Sequence, residues 1–390
     1  MNRVCSIFSQ ILQYIPRLEF QSIVQQHKAE RHARGFTCWG QLIAMLFCQL
    51  GRAHSLREIC GGLATCEGKL RHLGLSDAPR RSTLAYANEH RPWEVFRDLF
   101  FTLQERFAKE AGGRRHGFRF KNKLASMDAS TISLSVSMFD WAHFQRAKGA
   151  VKLHLVLDHD GYLPSYAVIT TGKKHEITIA RKMHFEPGTI LVFDKGYADY
   201  AWWQRLDQER VYFVSRLRND AKHKKKRQRE VPPCHKEIRQ DQEIVLQGWR
   251  QLGKEGLPLR RIEVWVEDKQ EMLILVTNHP KLAASTIAAI YRDRWRIETF
   301  FKSLKQLLKL KTFVGTSEKA VLTQMWTALM VMLLLRWLML KATYGWSLSN
   351  LVAMLRMQLF VYRDLLTWLN SPFEGPPGVD AEAQMALALG

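Results

Sequence analysis

The chain has 390 residues, with 58 Lys+Arg against 37 Asp+Glu and a formal net charge of +21 at pH 7. A basic surplus of that size suits a nucleic-acid partner, and 46% apolar with 24% charged residues excludes a disordered, collagen-like or rod-like chain. The six cysteines form no CxxC pair, so they read as reduced thiols in a cytosolic, nucleoid-associated protein rather than as a disulfide scaffold.

In chain order, Met1 to Val24 is amphipathic and broken by Gln10, Gln13 and Arg17, which is not a secretory pattern. Helical spacing of apolar residues recurs through Gln41–Leu50 and Trp93–Phe107. Residues 1–115 are therefore expected to form an all-α domain. Its short segments around Ser76-Asp77-Ala78-Pro79-Arg80-Arg81 suit helix-turn-helix-like contact with DNA.

After the Gly112–Gly117 linker the period changes. Leu124–Ser135, Val151–Leu157 and Tyr166–Thr171 read as an antiparallel meander. A helix follows (His175–Met183), then a strand (Thr189–Phe193), a helix (Tyr200–Gln208) and a strand (Val211–Ser215). That order gives an α/β fold with an RNase H-like catalytic core over residues 116–345.

Residues 216–270 carry the basic run Lys222–Arg229 and alternating segments that suit a β-rich insertion better than a continuation of the core sheet. A long uninterrupted helix is predicted from Ala284 to Leu310. Residues 346–390 read as C-terminal helices with a Gly/Pro-rich, fraying tail. Val321–Leu340 is long enough to span a bilayer, but Thr323, Gln324, Thr327 and Arg336 favour a buried helix and no membrane.

Two acids stand out because they sit on apolar strands: Asp128 in Ser-Met-Asp-Ala-Ser and Asp194 at the end of Ile190-Leu191-Val192-Phe193. A buried, unpaired carboxylate is expensive, and acids at strand ends of α/β sheets often serve ligands. Either could instead cap the following turn. The third element is helical: at 100° per residue, Tyr291, Arg294, Glu298 and Lys305 fall within about 60° of one another, beside the core-facing stripe.

Tyr291-x2-Arg294-x3-Glu298-x6-Lys305 resembles the Tyr-Arg-Glu-Lys signature of insertion-sequence DDE transposases of the IS-four group. The Asp128 and Asp194 segments look like that family's two acidic motifs. The resemblance implies that Asp128, Asp194 and Glu298 are catalytic and bind two Mg²⁺ ions, with Mn²⁺ able to substitute. It also implies that Tyr291, Arg294 and Lys305 hold DNA phosphates. Trp265 or Trp295, with Trp249 behind them, would stack on a flipped base. The implied activity is cleavage of transposon ends and strand transfer into target DNA, cut-and-paste through a hairpin, by a homodimer on terminal inverted repeats. The alternative is a catalytically inactive DNA-binding derivative.

Overall fold

The computed structural model describes residues 5–31, 33–66, 68–111, 117–134, 141, 143–145, 148–247, 256–307 and 313–374. Two compact units emerge, one of residues 1–107 with 303–390 and one of residues 108–302. Trp249 and most of the C-terminal tail lie outside the described residues.

The first unit begins with helices α1 (Ile7–Leu12), α2 (Arg17–Gln26), α3 (Cys38–Leu50), α4 (Leu56–Ala64), α5 (Leu70–Leu73), α6 (Arg81–His90) and α7 (Glu94–Ala111). Local chemistry sets their starts. The Thr37 hydroxyl accepts from Gly40 N–H at 3.1 Å, and the Ser55 hydroxyl accepts from Glu58 N–H at 3.2 Å, each satisfying a donor that a helix N-terminus leaves free. Helix α3 is buried on nearly all sides, and Gln41 in its first turn, one of two buried amides, donates to Asn88 of α6 at 2.9 Å.

The second unit is built on one sheet: β1 (Leu124–Leu134), β2 (His143–Gln145), β3 (Lys148–Asp158), β4 (Pro164–Thr171), β5 (Ile190–Phe193), β6 (Tyr212–Arg216), β7 (His223–Gln228), β8 (Ile238–Leu246), β9 (Leu257–Val266) and β10 (Glu271–Thr277). The order is β2-β3-β1-β5-β6-β10-β9-β8-β7, with β4 also pairing β3. Strands β1, β3 and β4 run antiparallel in sequence, while β5 lies parallel to β1 and to β6. Helices α8 (Glu176–Ala180), α9 (Tyr200–Gln208), α10 (Ala284–Asp293) and α11 (Trp295–Leu307) complete the connections.

The two-residue period of a strand explains why β1 and β5 are apolar on both sides. Ala125, Met127, Leu191 and Phe193 enter one core with Ile179 of α8 and Trp202, Trp203 and Leu206 of α9. Their neighbours Leu124, Ile190 and Val192 enter a second core with Ile287, Ile290 and Tyr291 of α10.

Within this unit the structure departs from the sequence expectations in three places. The strands of residues 223–266 do not stand apart from the core sheet: β9 pairs with β10 over seven residues and draws β8 and β7 into the same sheet. Alternation along one strand predicts a strand but not its neighbour. The basic run becomes the edge strand β7, exposed at every position, and lysines there keep an open edge from pairing with another chain. The long helix divides at Arg294, where Ile297 N–H bonds the Arg294 carbonyl three residues back at 3.0 Å, a tightened turn that no Pro or Gly signals.

The chain then returns to the helical unit with α12 (Glu318–Lys341), α13 (Leu348–Gln358) and α14 (Leu365–Asn370). Residues 303–345, which the sequence reading kept with the sheet, thus fall in the helical unit, because α12 is apolar all round and packs on α3 and α6. Of its most apolar window, 94% is buried within the protein.

Candidate active site

Parallel pairing of β1 and β5 puts Met127 opposite Phe193, so Asp128 and Asp194 are the next residue on each of two neighbouring strands. Adjacent strands are about 4.8 Å apart, which places both acids at one level of the sheet. By alternation Asp128 leaves the core of Met127 and turns to the α10 side, while Asp194 follows the last residue of β5. Asp194 also caps the 3₁₀ turn Lys195–Tyr197, its carboxylate accepting from Gly196 N–H. The capping reading of this acid is therefore correct without displacing the other.

Helices α10 and α11 supply the third acid. Arg294, at the break between them, donates to Glu298 Oε1 at 2.6 Å and lies 3.9 Å from Asp128 Oδ2. Its guanidinium also sits 5.4 Å from the centre of the Tyr291 ring. This is no solvent-exposed i,i+4 pair, since the Arg294 side chain is only 12% exposed. Burial works against its charge, yet Tyr291, Glu298 and Asp128 hold its pKa above the ordinary arginine value.

Burial pushes the Asp128 carboxyl up to about 6, and Glu176 and Glu298 push the same way against the Ala129 N–H and Arg294. Tyr291, buried beneath Arg294, is raised by burial first and by Asp194 in addition. Tyr197 is raised by burial and then by Asp128, Glu176 and Asp194. Asp128 and Glu298 thus share Arg294 as a neighbour, and Asp128 and Asp194 share Tyr197.

The donors suit a hard divalent cation, which prefers carboxylate oxygen. Among the described residues no three acidic, His or Cys side chains yet stand close enough to share one ion. Arg294 holds the positive charge between Asp128 and Glu298 instead. Two features fit an ion nonetheless. The Tyr197 hydroxyl is buried without a hydrogen-bond partner among the described residues, and Gly196 leaves an open cradle between the Asp194 and Glu176 carboxylates.

The remaining expected residues are placed differently. Trp295 opens α11 with 61% of its surface exposed. Lys305 lies seven residues beyond Glu298 on α11, on the same side by helix pitch. Trp265 on β9 is half-buried, donates to Glu267 at 2.7 Å and lines a cavity of about 750 Å³ with Pro232, Lys236 and Arg239. None of the three acids borders that cavity.

Sequence reasoning missed a buried chain behind the site. The Ser126 hydroxyl meets His159 Nε2 at 2.7 Å, and His159 Nδ1 meets Asp293 Oδ2 at 2.7 Å, with Tyr162 O–H donating to the same carboxylate at 3.1 Å. Ser126 and the His159 side chain are fully buried, so this chain is no hydrolytic triad. It ties β1, two residues before Asp128, to the end of α10, one residue before Arg294. Glu176 was missed as well, because as the first residue of a short helix it reads as an ordinary first-turn acid.

Comparison with known proteins identifies relatives of the chain. The family described as "Transposase DDE domain" matches residues 121–334, and a domain of unknown function matches residues 4–76. The y4zB protein of Sinorhizobium fredii, which carries a transposase name, is 32% identical over 72% of this chain and 77% of its own. The transposase assigned to insertion sequence element IS5377 of Geobacillus stearothermophilus is 26% identical over 79% and 77%. That assigned to element IS4SA of Synechocystis is 24% identical over 74% and 80%.

Proposed function

This chain belongs to the DDE transposase family and is a DNA transposase, and on that premise we propose that Asp128, Asp194 and Glu298 are its catalytic acids and hold two Mg²⁺ ions. The observation that carries the reading is the convergence of acids from β1 and α11, 170 positions apart in the chain, on the one guanidinium of Arg294. When bound, such ions activate the attacking oxygen and stabilise the leaving oxygen of an in-line displacement at phosphorus. The strand order β4-β3-β1-β5-β6, with the last two parallel to β1, supports an RNase H-like core.

The chain's own residues supply charge and position. Arg294 neutralises Asp128 and Glu298 and, with Tyr291 beneath it and Lys305 further along α11, would supply donors to a DNA phosphate. Trp295, exposed at the start of α11, is the better placed tryptophan to stack on a flipped base; Trp265 is held by Glu267. The order Tyr291, Arg294, Glu298, Lys305 supports placement in the IS-four group. That placement implies cut-and-paste excision through a hairpin by a homodimer on terminal inverted repeats. The basic edge strand β7 and the N-terminal helices would add DNA backbone contacts.

Glu298→Gln tests the assignment. The variant is expected to fold and bind transposon ends in EDTA as the parent does, while Mn²⁺- or Mg²⁺-dependent cleavage falls at least about 10³-fold, the scale of losing a principal catalytic group. Normal cleavage by the variant refutes it. A parent protein that binds ends but never cuts them would establish the inactive derivative instead.

A further inference from the structure

The three-acid reading leaves unexplained two neighbours of the site, Glu176 and Tyr197. Glu176 begins α8, whose apolar residues Ile177, Ile179 and Ala180 pack into the same core as Phe193 and Tyr197. That packing fixes the carboxylate above the 3₁₀ turn Lys195–Tyr197. Glu176 Oε2 and Asp194 Oδ1 each lie 3.5 Å from the point where a Cβ on Gly196 would stand, so the two carboxylates face one small space. From β3, Lys152 reaches Glu176 Oε1 at 3.4 Å with its own side chain 14% exposed.

An acidic cluster alone can be incidental, but the Tyr197 hydroxyl gives it direction. Tyr197 is 2% exposed, and its hydroxyl has no hydrogen-bond partner among the described residues, although Asp128, Glu176 and Asp194 all act on it. The indole N–H groups of Trp202 and Trp203 are also unpartnered, in rings that pack on Phe193 and its neighbours as Tyr197 does, but only the Tyr197 hydroxyl has the three carboxylates acting on it. Leaving a buried hydroxyl unpaired is unfavourable, and is tolerable where an occupant of the site completes the bond.

We propose that Glu176 is a fourth carboxylate of this centre, a ligand to the divalent ion held between Asp128 and Asp194, and that the Tyr197 hydroxyl orients the ligating carboxylates. Lys152 is the counter-charge that keeps Glu176 turned toward the centre while the ion is absent. The absence of a side chain at Gly196 keeps the space between Glu176 and Asp194 open. This inference rests on the assignment of Asp128, Asp194 and Glu298 as the ion-binding set.

Binding of Mn²⁺ to the full-length protein without DNA, followed by the electron paramagnetic resonance signal of the free ion, tests it. Glu176→Gln is expected to weaken the tightest Mn²⁺ by about tenfold or more, and Tyr197→Phe to weaken it less, within the range seen when ligands or their hydrogen-bond partners are removed. Gly196→Ala, whose methyl would touch both carboxylates, is expected to weaken it as well and does not depend on the fold of the Glu176 variant. Wild-type affinity in Glu176→Gln and Gly196→Ala, together with lost affinity in Asp128→Asn, overturns the fourth ligand and leaves the three-acid assignment standing. Unchanged affinity in Asp128→Asn and Glu298→Gln too removes both.

Discussion

The two units bury polar groups in opposite ways. In the helical unit the buried polar side chains are neutral and turn to near neighbours. Gln41 bonds Asn88 at 2.9 Å, Gln324 accepts from Val314 N–H at 2.9 Å, and Thr327 bonds back to the Thr323 carbonyl one turn earlier. The sheet unit also buries paired groups, among them Arg260 and Asp241 at 2.6 Å, but at the candidate site it gathers carboxylates of like sign from β1, the β5 end, α8 and α11 around Arg294 and Tyr197. Neutral pairs stabilise a core at little electrostatic expense, whereas clustered carboxylates repel and lose hydration. An arrangement that works against folding suits a site that binds a cation, and this is where the proposed catalytic acids lie.

That contrast can be broken by substitution. The largest effect belongs to the helical unit. Trp326 is 1% exposed and touches the rings of Trp93, Phe100 and Phe101, so Trp326→Ala is expected to lower unfolding free energy by about 3–5 kcal/mol in urea denaturation. Mn²⁺ binding by the still-folded fraction should be unchanged. A loss under about 1 kcal/mol would show that this core is not packed as described.

Next comes the chain behind the acids. His159→Phe removes both bonds from a fully buried imidazole and strands the Ser126 hydroxyl, while Asp293 keeps Tyr162 and Arg296, a loss of about 1–3 kcal/mol. Because this chain sets Arg294 and Glu298 against Asp128, cleavage should fall further than stability alone explains, with binding of DNA ends retained. Cleavage that tracks only the folded fraction would reduce His159 to a structural residue.

The smallest effect has the opposite sign. Asp128 has its pKa raised from 3.8 to about 6, chiefly by burial, so its ionised form is penalised in the folded, metal-free protein. Stability from this group is full below pH 3.8 and is lost as pH rises through about 6. Asp128→Asn should therefore stabilise the EDTA-treated protein by about 1–2 kcal/mol above pH 6, less than the full shift allows because the Arg294 contact goes too, and the gain should vanish near pH 4. Thermal unfolding across that range checks it, and a destabilised variant at pH 8 would mean that Arg294 outweighs burial.

Much of the fold was legible because its signals are local. The strands β1, β3, β4 and β5, helix α9 and the helical N-terminal region follow from the period of apolar residues. Asp128, Asp194 and Glu298 could be picked out because each interrupts or borders an apolar pattern. Glu176, Tyr197 and His159 could not. Glu176 looks like a helix start, Tyr197 like a core aromatic, and His159 like a loop residue, and their meaning lies in partners 18 to 134 positions away.

Sequence by itself determined that this chain is basic, folded into α and β regions, and equipped with acids too costly to sit in apolar strands without a purpose. Periodicity and composition are read within a few residues, and these properties depend on nothing further. Tertiary structure alone decided that β7 to β9 extend the core sheet, that α12 belongs with the first helices, and that Arg294 stands between Asp128 and Glu298. Strand partners, helix neighbours and charge pairs are chosen by contacts between distant segments, and no local pattern encodes which distant segment will arrive.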